Sequence, residues 1–300
     1  VPELPEVVCY IEHVARRTVG RPLTALRILN PFVLRSVEPP PSAFVGRTVT
    51  GVRRLGKRIA IGFDGDLWAV IHLMVAGRLH WLAPGAKLHK KRTLLAFEFE
   101  HGILQLTEAG TKRRASLYLV AGEAGLAEHD RGGLEPFEAT FDEFAHALRR
   151  ENHTLKRSLT DPRLFSGIGG AFADEILHRA RLSPVGMSTR LDDEQVMALH
   201  RATVDVLEEW TRRLIEQSGD EFPEGVTAFR PEMVVHGKYG QPCPRCGAKV
   251  QRIVYASRET NYCAPCQTGG RLLADRGLSR LLGKDWPKSI EELEARRSGR

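Results

Sequence analysis

The chain has 300 residues, 42% of them hydrophobic and 27% charged, a balance that builds proper cores over a length suited to about two domains. That composition excludes disorder, collagen-like repeats and coiled-coil arrays as the main architecture, and no run of about eighteen apolar residues exists to cross a membrane. Lysine and arginine number 44 against 37 aspartate and glutamate, a net charge of +7, which favours a polyanionic partner without specifying one.

Glu3 and Glu6 stand where a secretion signal needs a basic start and an apolar stretch, so a cytoplasmic location is expected. Pro5 suits the first turn of a helix and Glu6 its positive end; Val7, Ile11 and Val14 then recur at helical spacing, and Gly20 closes the pattern. Cys9, inside that pattern, reads as a small buried hydrophobe. From Leu26 to about Val120 short β-rich runs follow at residues 48–52, 58–63, 67–73 and 94–100, separated by turn signals at 64–66 and 101–102. This predicts a β-sandwich. Residues 129–136, with Asp130, Gly132, Gly133 and Pro136, read as a linker. Beyond it the chain is helical: Thr140 caps residues 141–149, and Asp192 precedes a long amphipathic helix carrying Val196, Leu199, Val206, Trp210 and Leu214. The expected fold class is α+β, with a helix and sandwich at 1–130, a helical domain at 137–235, a cysteine-bearing module at 236–268 and an extension at 269–300. Leu272, Leu273, Leu278, Leu281 and Leu282 predict that the extension packs as a short helix on that module.

Cys243, Cys246, Cys263 and Cys266 form two CxxC pairs separated by sixteen residues. Each tight turn supplies two thiolates, and the intervening segment is long enough for a hairpin that joins the pairs around one tetrahedral Zn²⁺. A pair of disulfides is the alternative, which a cytosolic compartment disfavours. Four cysteines leave no open position on the metal, so the ion is expected to be structural. Between residues 236 and 285, nine lysines and arginines face three acids, which suits a phosphate backbone, although zinc ribbons also bind protein and charge runs are commonly solvated faces. In the helical half, Gly167, Gly169 and Gly170 lead into Ala173-Asp174-Glu175. A glycine-rich turn entering a helix presents backbone N–H groups that receive a phosphate, though it also serves as a tight helix connection.

Pro2-Glu3-Leu4-Pro5-Glu6-Val7, Leu55-Gly56-Lys57, the glycine-rich turn into Ala173-Asp174-Glu175, and Arg258 before the second CxxC together resemble the formamidopyrimidine-DNA glycosylase and endonuclease VIII family of base-excision repair enzymes. The resemblance runs from residue 2 to Gln267 in order. It implies an N-terminal helix and β-sandwich, then a helix-two-turn-helix domain ending in a four-cysteine zinc finger, with damaged double-stranded DNA passing between the two halves. A monomer associated with the nucleoid is expected. A free N-terminal proline is a secondary amine titrating near ~8, so a useful fraction is neutral at physiological pH. By resemblance, Pro2 attacks C1′ of the damaged nucleotide and expels the base, and elimination from the resulting iminium cuts the strand, giving glycosylase and AP lyase activities. Glu3 then serves as general acid and base. Lys57 and Arg258 match the family's phosphate-gripping pair, and Glu6 and Glu175 its supporting carboxylates. Taken singly, Pro2-Glu3 reads as a helix entry, Lys57 as a charge among Arg53, Arg54 and Arg58, Glu175 as a helix-surface acid and Arg258 as a solvated hairpin residue. Their order around a zinc module favours the enzyme.

The sequence also departs from the family. A retained Val1 makes the Pro2 nitrogen a tertiary amide, so the expectation is that Val1 translates a GUG start codon, is inserted as methionine and is removed; otherwise the Val1 amine is the fallback nucleophile. Gly170 stands where the family has an asparagine on a phosphate. Val75, beside Met74, matches the wedge methionine. Arg113 and Arg114 match the loop that enters the helix, without the phenylalanine that follows it in the family. The rival reading from another class is a catalytically silent zinc-finger protein that binds damaged DNA. A third is a zinc-ribbon interaction module with no salt-dependent DNA affinity.

Overall fold

The computed structural model describes residues 2–109, 112–226, 229–255, 258–274 and 283–298. The chain divides into two compact units, Val1–Gly133 with Glu208–Ala228, and Leu134–Leu207 with Phe229–Arg300.

The first unit is the expected helix and β-sandwich. Helix α1, Leu4–Thr18, starts at the N-cap Glu3 and buries Leu4, Val7, Tyr10 and Val14, while Gly20 beyond its end takes a left-handed φ of +76°. One antiparallel sheet runs β2 (Val49–Leu55), β3 (Arg58–Phe63), β4 (Leu67–His72) and β8 (Ser116–Ala121). The other runs β1 (Ala25–Ile28), β6 (Thr93–Phe99), β7 (Gly102–Glu108) and β5 (Gly77–Leu82). Alternate residues of β3 and β4, including Ile59, Ile61, Ala69 and Ile71, meet Leu95, Phe97, Leu104 and Leu106 in one core. Their other faces are covered too, because Ala60, Trp68 and Val70 lie against Leu126 of the short helix α2, Gly122–Ala127. That double burial explains the nearly continuous apolar runs of β3 and β4. Strands β1, β5, β7 and β8 carry no such run as separate elements and appear only in the structure.

Helix α6, Asp193–Ser218, belongs to both units. The sequence places residues 208–228 with the helical segment, yet they pack on α1. His13 Nε2 is 2.8 Å from Ser218 Oγ, Cys9 Sγ is 3.7 Å from the Leu214 carbonyl, and Phe222 joins the sandwich core against Tyr10. A helix of 26 residues is about 39 Å long, enough for one apolar stripe to serve two cores in succession.

In the second unit, α3 (Phe141–Arg149), α4 (Leu155–Thr160) and α5 (Gly170–Arg179) are the helical elements that precede α6. Phe144, Leu148, Leu155, Leu159, Phe165, Phe172 and Ile176 are buried to 1% exposure or less. Both predicted caps form: Thr140 and Glu143 make a reciprocal capping box, and Asp192 Oδ1 accepts from the Gln195 N–H at 2.8 Å. Strands β9 (Gln251–Tyr255) and β10 (Arg258–Tyr262) make the hairpin between the cysteine pairs, followed by α7, Ala264–Thr268. Leu272 and Leu273 pack with Tyr262 and Ala264, joined by Ile290 and Leu293 of α8, Ile290–Ser298. The extension thus lies on the cysteine module; Leu278, Leu281 and Leu282 fall outside the described residues. Among the described residues no helix is long and apolar enough to cross a membrane.

Candidate functional site

Pro2 is buried, and Glu3 and Glu6, at 4% and 1% exposure, lie within the next turn of chain. Glu6 Oε2 accepts from the Glu3 backbone N–H at 2.9 Å, so one carboxylate satisfies a donor that the start of a helix leaves open and sits at its positive end. Two carboxyl groups are thereby sequestered beside Pro2. Val1 lies outside the described residues.

Sheet register gathers the other first-unit candidates at one rim of the sandwich. Arg58 pairs with His72, and His72 with Ser116. Gly77 pairs with Glu108, and Thr93 with Thr107. The Gly56-Lys57 turn, the 73–76 turn and residues 112–115 therefore share an end. Gly56 takes φ +59°, the left-handed value a two-residue hairpin favours. Met74, at φ +52°, turns the chain so that Val75 projects with 60% exposure. A side chain at Gly77 would meet the Leu73 carbonyl oxygen at 2.3 Å, so that turn closes only with glycine. Glu108, 3% exposed, accepts backbone N–H bonds from Arg114 and Ala115 and holds the exposed Arg113-Arg114 pair in place. The Arg113 guanidinium donates to the Lys91 carbonyl and brings the basic 90–92 stretch alongside. Acids occupy turns at the far end, at 64–66 and at Glu100.

His72 sits within this cationic rim. Burial, with Arg58, Lys57 and Arg131 around it, pushes its imidazole down to about 4. It is therefore neutral at physiological pH and able to take up a proton when an anion arrives.

In the second unit Gly169 is the N-cap of α5, and a Cβ added at Gly170 would meet nothing within 4 Å. Further along α5, Glu175 is 5% exposed and fully engaged: Oε1 accepts from the N–H groups of Val235 and His236, and Oε2 from that of Val234, each at 2.9 Å. Burial pushes its carboxyl upward against three donors that favour the charged form. The sequence suggests a surface acid or a pocket carboxylate; the geometry is that of a loop anchor. Its neighbour Asp174 is completely buried, with Lys156 Nζ at 2.7 Å, His236 Nδ1 at 2.9 Å and the Asn261 N–H at 3.2 Å. Lys156 also donates to the Glu259 carbonyl at 2.8 Å. These contacts tie α4 and α5 to the hairpin, whose exposed Arg258 opens β10.

The four cysteines converge as free thiols. Cys246 Sγ lies 3.3 Å from Cys263 Sγ, too far for a disulfide and close to an edge of a thiolate tetrahedron. Burial pushes the Cys263 thiol up, and that of Cys266 up to about 11. Burial also works against Cys246, but the Ala248 N–H and the neighbouring thiols hold it below its ordinary value. Such a cluster of sulfur donors fits one Zn²⁺, which supplies the charge that lets all four ionise. The module is a four-cysteine zinc finger with one structural ion. Beside it, His178 Nε2 is 3.3 Å from Cys243 Sγ.

The structure thus brings Pro2, Glu3 and Glu6 into one turn, Lys57, Val75, Arg113 and Arg114 onto one rim, and the cysteines into one cluster; Gly170, Glu175 and Arg258 belong to the second unit. Sequence reasoning missed His72, Glu108, Asp174 and His178. The register of two hairpins would have found His72, two residues before Met74; Asp174 lies in the Ala173-Asp174-Glu175 string without a role read for it, and Glu108 and His178 carry no local pattern.

Known proteins carry the same parts in the same order. Residues 1–116 match the formamidopyrimidine-DNA glycosylase N-terminal domain, 133–218 its H2TH domain, and 240–269 the zinc finger found in FPG and IleRS. The formamidopyrimidine-DNA glycosylase of Pelotomaculum thermopropionicum is 32% identical over 279 residues, covering 89% of this chain and 99% of that protein. An uncharacterized formamidopyrimidine-DNA glycosylase-like protein of Mycobacterium tuberculosis is 37% identical over 159 residues, 53% of this chain and 99% of that protein. Among solved structures, the Lactococcus lactis enzyme non-covalently bound to DNA containing an AP site is 26% identical, with a TM-score of 0.77, covering 89% of this chain and 99% of that one. Another is MutM in complex with DNA containing carbocyclic 8-oxo-G, also 26% identical, with a TM-score of 0.78, covering 89% of this chain and all of that one. With all three domains matched in order and full-length relatives above 30% identity, the chain belongs to the formamidopyrimidine-DNA glycosylase family.

Proposed function

We propose that this protein is a DNA glycosylase with AP lyase activity, removing oxidised or ring-opened bases from duplex DNA through the nitrogen of Pro2. The observation that carries the reading is the head of α1, where Pro2 and two sequestered carboxyl groups lie within one turn. When that nitrogen is a free secondary amine, it attacks C1′, the glycosidic bond breaks and the base leaves with a proton; protonation of the ring oxygen then breaks the C1′–O4′ bond and leaves the nitrogen as an iminium. The iminium so formed acidifies the C2′ hydrogen; its loss expels the 3′ phosphate, and hydrolysis of the Schiff base returns the amine. Glu3 holds and returns the protons of these steps, giving one to the ring oxygen as the C1′–O4′ bond opens. Glu6, bonded to the Glu3 backbone, positions it.

The rim accounts for DNA grip in the first unit. Lys57, His72, Arg113 and Arg114 receive phosphates, and Val75 fills the space opposite an extruded nucleotide. Val75 is shorter and stiffer than the methionine of the family, so the wedge is weaker. In the second unit Arg258 and the α5 N-terminus take further phosphates, and Glu175 acts as a positioning residue that orders the 234–236 segment.

The test is borohydride trapping on DNA with an abasic site, using chains prepared to begin at Pro2 and chains with one residue left before it. A covalent adduct with the first, strongly reduced with the second, is expected, and Glu3→Gln should cut the rate of base release with AP-site binding retained. Equal trapping by both forms, or tight binding without an adduct from the Pro2 form, overturns the mechanism; the latter outcome leaves a silent DNA-binding protein.

A further inference from the structure

Two sets of four donors share three of the zinc-finger thiols. Cys246 interacts with Cys243, Cys263 and Cys266. His178, Cys243, Cys263 and Cys266 also bring one donor atom each within 4.8 Å of one another. The fourth corner of the tetrahedron is therefore available to a thiolate or to an imidazole.

The two occupants differ in setting. Cys246 is exposed, whereas Cys243 and Cys263 are buried, Cys266 is half-buried and His178 is 4% exposed. His178 lies in the last turn of α5, and its carbonyl accepts from the Arg245 guanidinium at 3.1 Å. Arg245 is the residue between Pro244 and Cys246, so the same helix end that carries the imidazole grips the first cysteine turn. Zinc bonds of ~2.3 Å to sulfur and ~2.0 Å to nitrogen place S and N ligands about 3.5 Å apart in a tetrahedron. The 3.3 Å between His178 Nε2 and Cys243 Sγ is close to that edge.

We propose that His178 is a reserve ligand of the zinc site, hydrogen-bonding Cys243 while Cys246 is bound and taking the fourth position when Cys246 is lost. With four cysteines in place, the tautomer with its proton on Nε2 donates to the Cys243 thiolate and supports it from outside the coordination shell. With Cys246 gone, the tautomer protonated on Nδ1 turns an Nε2 lone pair to the metal, giving a set of three cysteines and one histidine, itself an ordinary structural zinc site. The exposed corner is thus the replaceable one, and the ion stays with the three less accessible thiols.

The experiment uses the full chain as Cys246→Ala, His178→Phe and the double variant, loaded with Zn²⁺ for stoichiometry and with Co²⁺ for ligand-field spectra. Cys246→Ala is expected to hold one ion with the spectrum of three thiolates and one nitrogen. His178→Phe alone is expected to keep the four-thiolate spectrum. Combining the two should weaken metal binding by more than about tenfold relative to Cys246→Ala. As a reading that needs no second variant, the ¹¹³Cd resonance of Cys246→Ala distinguishes a nitrogen from a water oxygen in the fourth position. The proposal is overturned if Cys246→Ala retains no metal or does not fold in its presence, or if its spectrum and affinity are unchanged by adding His178→Phe.

Discussion

His72 is the residue whose surroundings make the sharpest demand. Lys57 on the hairpin turn, Arg58 on the adjacent strand and Arg131 all face it, and with burial they lower its pKa to about 4. In the unfolded chain it titrates near ~6.5. Folding therefore gains stability from this group fully above pH ~6.5 and loses it as pH falls towards 4, since the unfolded state binds the proton more tightly. The loss amounts to about 3 kcal/mol at most. His72→Gln should remove it: urea unfolding of both proteins at a series of pH values should give a difference that is constant above pH 7 and moves in favour of the variant below pH 6. Parallel curves would contradict the assignment. A phosphate on the rim reverses the sign, so DNA binding is expected to take up a proton at His72, visible as affinity that rises on acidification in the wild type and less so in His72→Gln. The same histidine shows what a linear reading omits. Lys57, Arg113 and Arg114 are legible because they sit in recognisable strings, but His72 becomes part of the group only when β3, β4 and β8 align Arg58, His72 and Ser116 across one sheet.

At the scale of elements, local signals were legible where they act locally. The caps Thr140 and Asp192, the turn at 64–66 and the CxxC spacing each specify a structure within a few residues. The contacts of Glu175 were not, because its partners Val234, Val235 and His236 lie about sixty residues away and its burial is invisible in a helical pattern. The zinc hairpin depends on its metal for a physical reason: the apolar cluster around the cysteines contains little beyond Val234, Val235 and Val250, and the Tyr262–Ala264 cluster on the C-terminal extension is also small, together less than a small module needs. Structural zinc supplies on the order of 10 kcal/mol. Chelation should therefore melt residues 236–268, seen as loss of amide-exchange protection there and of DNA affinity, with protection of the β2–β3–β4–β8 sheet retained. A hairpin that stays protected after complete zinc removal refutes this. Helix α5 makes a gain-of-function prediction. The open space around a Gly170 Cβ admits a side chain without strain, so Gly170→Asn should add one amide donor at the helix start. One such hydrogen bond is worth about 1 kcal/mol, roughly fivefold in affinity for abasic-site DNA measured by fluorescence anisotropy. Unchanged or weaker binding by a stably folded variant would show that no phosphate lies there.

Across the whole molecule the net charge of +7 is a poor guide, because it does not say where the charge lies. Positive charge is concentrated on the Lys57–His72–Arg114 rim in one unit and on the hairpin carrying Arg258 in the other, and these are the surfaces proposed to hold phosphates. Phosphate contacts release counterions and set the salt dependence of binding, whereas a wedge residue acts on stacking and releases none. The two kinds of residue should therefore separate in one experiment. Lys57→Ala, Arg113→Ala and Arg258→Ala are each expected to weaken binding to damaged and undamaged duplexes alike and to lower the slope of log K against log salt by about 1. Val75→Met, which restores the longer family side chain at an exposed turn, is expected to leave that slope unchanged and to raise affinity for a duplex with an abasic site over an intact one. If Val75→Met changes the slope, or if the cation variants change the preference for damage without changing the slope, the division of labour between rim and wedge is wrong, even though the fold and the zinc site would stand.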